Sequence, residues 1–321
     1  MSTVVIGAAA SHTTLMNTKW DEVDHLQRAH DYRAALGTAR SAIEAAGADA
    51  AVVVGPNHFR GFWLDLMPMF TIGVGEVVAA GEHGTPEGPQ ATDAELARRL
   101  LSALVTSGFD PAFSARLQVD HGVTHAIQHV LPEGLPVVPL VVNCFAPPLP
   151  PLARCAALGE AIAGGLAGDG LDRRVAVVAS GGLSHQLPFP DWRDPRSDDD
   201  EYLVTSWLEG RDDWASYEDR RRQIVVSASP VLNERFDTSV LERLSDGEMA
   251  RLVELEHDLV ATAGNGANEI RNWLIMAGAC GWAPGRSLCY SPMPEWLTGM
   301  AVAMVDAPGH EDLNRSGRKA R

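Results

Sequence analysis

Apolar residues follow two rhythms along the chain. Short unbroken runs at Val4-Val5-Ile6-Gly7, Ala50 to Val54, Phe70 to Val74, Pro136 to Val142 and Val175 to Ala179 have the length and β-branched content of strands. These runs are apolar on successive rather than alternate residues, which predicts strands covered on both faces. Between them lie segments of helical period. Asp21 to Ala46 carries Leu26, Ala29, Ala34 and Ile43 near 3.6-residue spacing, Thr92 to Val105 is capped by Thr92 or Asp93, and Leu152 to Leu166 follows. The alternation predicts an α/β fold, with a central mixed sheet covered by helices on both faces.

The pattern changes after His185. Asp191 to Glu201, rich in Pro and Asp, reads as a solvated loop. Helices are predicted at Trp214 to Val226, Asp246 to Thr262 and Asn268 to Ala279, and strands return at Ser287 to Tyr290 and Gly299 to Val305. Residues 1–306 are therefore expected to form a single domain with a helical region in the C-terminal half. Residues 307–321, polar from Glu311 to Arg321, are expected to be a disordered tail.

Charge narrows the function. The 321 residues include 26 Lys+Arg against 42 Asp+Glu, a net charge of −16, with no basic run. Such a surface excludes general binding to a nucleic-acid backbone, which needs clustered cations. It leaves room for a small anionic substrate that one local arginine can attract. No cationic leader precedes the first strand, and no run approaches the roughly 20 apolar residues of a membrane span. Cys144, Cys155, Cys280 and Cys289 are scattered, without a Cys-x-x-Cys pair. The expectation is a cytoplasmic protein with reduced cysteines that does not engage membranes. A symmetric homo-oligomer is the expected assembly.

Four of the eleven histidines follow short extended runs. His12 follows the first strand in Ser11-His12, and His58 ends Gly55-Pro56-Asn57-His58. His121 sits in Gln118-Val119-Asp120-His121-Gly122, and His185 closes Ser180-Gly181-Gly182-Leu183-Ser184-His185. Open α/β sheets bind ligands beyond the carboxyl ends of their strands, so these imidazoles point to one site. Two imidazoles and a carboxylate on one face of an ion leave positions for substrate and dioxygen. His12 and His58 are candidates for the nitrogens. Spacing does not select the carboxylate; Glu269 is a candidate, although a first-turn glutamate favoured by the helix dipole is the stronger reading of the residues alone. His125 and His129, four apart, lack the following glutamate of a zinc-protease motif, and His83 sits in a glycine-rich loop at a candidate pocket mouth. Complete dinucleotide, Walker and nucleophile-elbow motifs are absent.

Ser11-His12, Asn57-His58, Gln118 to Gly122 and Ser180 to Gln186 together resemble the class III extradiol ring-cleavage dioxygenases. The likeness continues through Leu66-Met67-Pro68, Pro147 to Pro150, Glu269 to Trp273 and Pro294-Glu295-Trp296, and so spans nearly the whole chain. Within that family the single-subunit dihydroxyphenylpropionate branch is most similar. The resemblance implies Fe(II) held by His12, His58 and Glu269, and an acid/base pair of His185, the base for a catechol, and His121, the proton donor. It implies a catecholic substrate, dioxygen as co-substrate, insertion of both oxygen atoms and ring opening adjacent to the diol. Asp120 is expected either to orient His121 or to be a structural Asp in a turn, and Gly181 and Gly182 to let backbone pass close to the bound ring. Two departures bear on substrate: Asn268 stands where the branch carries His, and Arg60 replaces a small polar residue. Arg60 is expected either to meet a carboxylate or other anionic substituent on the ring or to be simply solvated. Other readings of the same scaffold are a hydrolase or lyase using another divalent metal, and a non-enzymatic metal-binding or scaffold protein.

Overall fold

The computed structural model describes residues 1–307, so most of the expected tail lies outside the described residues. Within these residues nine strands form one mixed sheet: β1 (Thr3–Ala10), β2 (Ala50–Pro56), β3 (Phe70–Ala80), β4 (Glu87–Gln90), β5 (Ala112–Val119), β6 (Val137–Val142), β7 (Arg174–Ser180), β8 (Gly285–Met293) and β9 (Thr298–Asp306). Their order is β4-β3-β6-β2-β7-β1-β9-β8, with β5 pairing β3. The centre is parallel, since β2 pairs β6 and β7, and β7 pairs β1. β9 returns antiparallel along β1.

Among the described residues, ten α-helices complete the fold: α1 (Leu15–Thr18), α2 (Leu26–Ala45), α3 (Ala94–Thr106), α4 (His121–His129), α5 (Leu152–Gly168), α6 (Asp198–Asp213), α7 (Ala215–Val226), α8 (Glu234–Ser245), α9 (Leu259–Ala263) and α10 (Ile270–Ala279). Val52 and Val54 of β2 face a core shared with α3, α5 and α10, while Ala51 and Val53 face another shared with α2 and α4. Two apolar layers explain why the central strands lack a polar alternation. No described helix is long and apolar enough to cross a membrane.

Three expectations change. The Asp-rich stretch is only partly a loop, because α6 starts at Asp198 with Ser197 as its cap. Asp198, Asp199, Asp200 and Glu201 occupy its first turn, where the helix dipole favours acids. The helix expected over Asp246 to Thr262 is a 3-10 segment, Met249–Leu255, followed by the short α9. Finally, Glu269 does not open a regular helix but ends a 3-10 turn, Asn265–Glu269, that leads into α10.

Candidate active site

The parallel strands β1, β2 and β7 are neighbours, so their carboxyl ends share one edge. The chain leaving β1 carries His12, that leaving β2 carries His58, and that leaving β7 carries His185. His121 begins α4 after β5, and the turn before α10 brings Glu269 to the same place. All five line one cavity with Glu82, His83, Leu187 and Phe189.

Each imidazole has its Nδ1 held from outside. His12 Nδ1 meets Ser180 Oγ at 3.0 Å, His58 Nδ1 meets Asp120 Oδ1 at 3.3 Å, and His185 Nδ1 meets the Leu183 carbonyl at 3.1 Å. His121 Nδ1 pairs with Glu82 Oε1. Carboxylates and carbonyls only accept, so Nδ1 of His58, His121 and His185 donates, and Nε2 is the free lone pair of each neutral ring. The rings are close: His58 stacks on His121 with centroids 4.0 Å apart, and His12 stands 5.2 Å from His58.

Glu269 closes the cluster. It is 1% exposed, and its Oε2 accepts from the Gly182 amide. Its Oε1 has no hydrogen-bond donor among the described residues, yet lies 3.4 Å from His12 Nε2 and 3.3 Å from His58 Nε2. Two imidazole nitrogens this close to a buried, undonated carboxylate oxygen need a cation beside it, a proton or a metal. Ligands at about 2.1 Å from an ion and roughly at right angles stand about 3.0 Å apart, close to these separations. The donor set thus fits a divalent metal. One nitrogen each from His12, His58 and His121 also lies within 4.8 Å of the others, but His121 is drawn outward by Glu82.

The electrostatics follow. Burial lowers His58, but Asp120 and Glu269 outweigh it and push the ring up to about 9. Burial disfavours the Glu269 charge, while His12, His58 and His185 bring it down to about 2. His12 is pushed down to about 3 by burial, against the pull of Glu269. Burial also lowers His121 and His185, which keeps both rings neutral near pH 7.

Several expected roles shift. Asp120 serves His58 rather than His121: it accepts from the His58 amide at 2.5 Å and from the Gly122 amide at 2.9 Å as the cap of α4. Glu82 is the carboxylate that holds His121, accepting from its amide at 2.9 Å as well as from its ring. His121 and Arg60 keep the Glu82 carboxyl well below the usual range despite burial. In the sequence only its place in the glycine-flanked Gly81-Glu82-His83-Gly84 sets Glu82 apart.

Gly181 and Gly182 make room for neighbouring protein groups. A Cβ on Gly181, at φ +150°, would come 2.7 Å from the Glu269 Cβ, and one on Gly182 would come 2.7 Å from the His185 ring. Asn268 is likewise structural. Its Oδ1 accepts from Arg271 Nη1 at 2.7 Å, and Arg271 reaches on to the Pro150 carbonyl and Glu256. The His185 loop is fixed from two more sides. Asp237 accepts from the Ser184 amide and hydroxyl at 2.7 Å each, and the His185 amide donates to the Ala263 carbonyl at 2.9 Å.

Arg60 is occupied by the protein. Its Nε donates to Glu82 Oε2 at 3.0 Å, its Nη2 to Glu218 Oε2 at 2.8 Å, and its guanidinium lies 4.1 Å from the Trp214 ring centre. Phe59 and Trp63 are core residues, Phe59 stacking on Trp207 with centroids 4.1 Å apart. Arg60→Ala is therefore expected to lower turnover of acidic and neutral diols by the same factor, about tenfold, by loosening Glu82 and with it His121. A loss confined to acidic diols, in paired steady-state assays, would return Arg60 to substrate recognition.

A family model described as "Catalytic LigB subunit of aromatic ring-opening dioxygenase" matches residues 7–301. A relative from Rhodococcus jostii (strain RHA1), named "2,3-dihydroxyphenylpropionate/2,3-dihydroxicinnamic acid 1,2-dioxygenase", is 34% identical, over 86% of this chain and 91% of its own. Proteins of the same name from Rhodococcus sp and Escherichia coli (strain K12 / DH10B) are 33% and 34% identical, over 93% and 82% of this chain and 97% and 87% of theirs.

Proposed function

Because the chain belongs to the family of catalytic LigB subunits of aromatic ring-opening dioxygenases, we propose that it uses Fe(II) to open a 2,3-diol ring bearing an acidic side chain, next to the diol. The relatives at 33–34% identity are named for two such acids. The observation that carries the reading is that His12 Nε2 and His58 Nε2 lie 3.4 Å and 3.3 Å from the undonated Glu269 Oε1. Two imidazoles and a carboxylate form the set that suits a non-haem Fe(II) centre. Bound there, Fe(II) supplies a path for electrons from the deprotonated diol to dioxygen.

The chain's own groups handle positions and protons. Asp120 and Ser180 fix the two ligand rings with Nε2 turned inward, as partners of metal-bound histidines do. His185 Nε2, 3.9 Å from Glu269 Oε2, is the neutral base that takes a proton from the incoming diol. The second diol proton passes to the free Nε2 of His121, Glu82 opposite its Nδ1 stabilises the imidazolium so formed, and His121 returns that proton as the ring opens. Leu15, Leu187, Phe189 and Leu297 line the cavity as apolar walls that hold a ring and displace water.

The metal assignment is tested by loading metal-free protein anaerobically with Fe(II), Mn(II) or Zn(II) and measuring bound metal and oxygen uptake together. Uptake with Fe(II) and none with Zn(II) is expected, since zinc carries no redox chemistry. Metal bound in full with no oxygen uptake from any of the three ions would support the hydrolase or lyase alternative.

A further inference from the structure

The cavity carries a cationic face that the ring-opening chemistry does not use. Arg221 and Arg222, on α7, line the cavity together with Val225. Arg221 is 5% exposed, its Nε has no acceptor among the described residues, and its nearest carboxylate is Glu218 Oε2 at 3.6 Å. That carboxylate is shared, since it accepts from Arg60 at 2.8 Å, while Glu218 Oε1 lies 3.0 Å from His83 Nε2. Arg222 meets only neutral partners within the described residues, donating to Thr14 Oγ1 and Thr18 Oγ1 at 3.0 Å each.

The charges around this face do not balance. Three guanidinium groups, Arg60, Arg221 and Arg222, stand against two carboxylates, Glu82 and Glu218. Asp120 is already paired with His58. A buried guanidinium without a full set of acceptors is costly unless an anion meets it, and its planar fork suits a carboxylate. We propose that Arg221 and Arg222 form the subsite for a carboxylate on the side chain of the aromatic diol. This rests on the ring-opening reading and deepens it: α7, not Arg60, sets the preference for acidic substrates. Arg60 lacks the capacity, because Glu82 and Glu218 already hold it.

The test compares 2,3-dihydroxyphenylpropionate with its methyl ester, which keeps the diol and removes the charge. In Arg221→Gln the ratio of kcat/KM for acid over ester is expected to fall about 10- to 100-fold, the usual worth of a charged hydrogen bond. Arg222→Gln is expected to act in the same direction, and the double variant more strongly. Should burial make Arg221→Gln unstable, Arg222→Gln and the charge-preserving Arg221→Lys decide the matter. A double variant whose ratio stays within about threefold of the parent overturns the proposal. If the parent opens neither diol, the ring-opening reading fails instead. The subsite is then judged by calorimetric binding of 3-phenylpropionate against 3-phenylpropionamide: a parent preference for the acid, erased in the double variant, supports it, and equal affinities overturn it.

Discussion

Replacing Glu269 with glutamine is expected to remove both the bound metal and the activity. Its Oε1 stands 3.4 Å from His12 Nε2 and 3.3 Å from His58 Nε2, and no donor within the described residues satisfies it. Glutamine keeps the shape and can still accept from the Gly182 amide through its carbonyl. Its NH2 group would then face the two imidazole lone pairs where a cation belongs. Loss of the metal's contribution, several kcal/mol, corresponds to a fall of about 10³-fold or more in turnover. Metal analysis after Fe(II) loading should show well under one ion per chain. A variant that keeps full metal content and near-parent rates would remove Glu269 from the metal centre.

His185→Gln is expected to separate chemistry from metal binding. The ring lies farther from Glu269 than do His12 and His58, at 3.9 Å from Oε2, and its Nδ1 is tied to the Leu183 carbonyl. Without this base kcat should fall about 10²- to 10⁴-fold, with one Fe(II) per chain retained. Loss of iron along with activity would make His185 a ligand instead. The parent's pH profile bears on the same role. Burial lowers His185 below the ordinary imidazole value of 6.5, so the neutral base persists as the pH falls past that value. The acid limb of kcat/KM is therefore expected below pH 6.5, and an inflection above it would contradict a buried neutral base.

The sheet was legible because β2, β6 and β7 are apolar on consecutive residues, a pattern that only two-sided burial explains. Placing His12, His58 and His185 on one edge followed from their position just beyond β1, β2 and β7. The carboxylate did not follow, since Glu269 lies in a 3-10 turn whose spacing carries no ligand pattern, and only the family resemblance pointed to it. The outer partners escaped for a related reason. Asp120 adjoins His121 in the chain but bonds the His58 ring, and Glu82 reaches His121 from 39 residues away. Arg60, two residues from His58, invited a substrate role, whereas Arg221 lies in a polar helix whose sequence reads as solvated. Such assignments depend on tertiary contacts that local pattern cannot carry. The acidic run at Asp198 failed differently, because its residues suit both a loop and the first turn of a helix.

The most direct test is to load the metal-free protein with Fe(II) under anaerobic conditions, add 2,3-dihydroxyphenylpropionate and admit a measured amount of dioxygen. One dioxygen consumed per diol, with a yellow product heavier than the substrate by both oxygen atoms, is the expected result. Iron bound in full, with no oxygen consumed or with the diol merely oxidised to its quinone at unchanged ring size, would contradict the account.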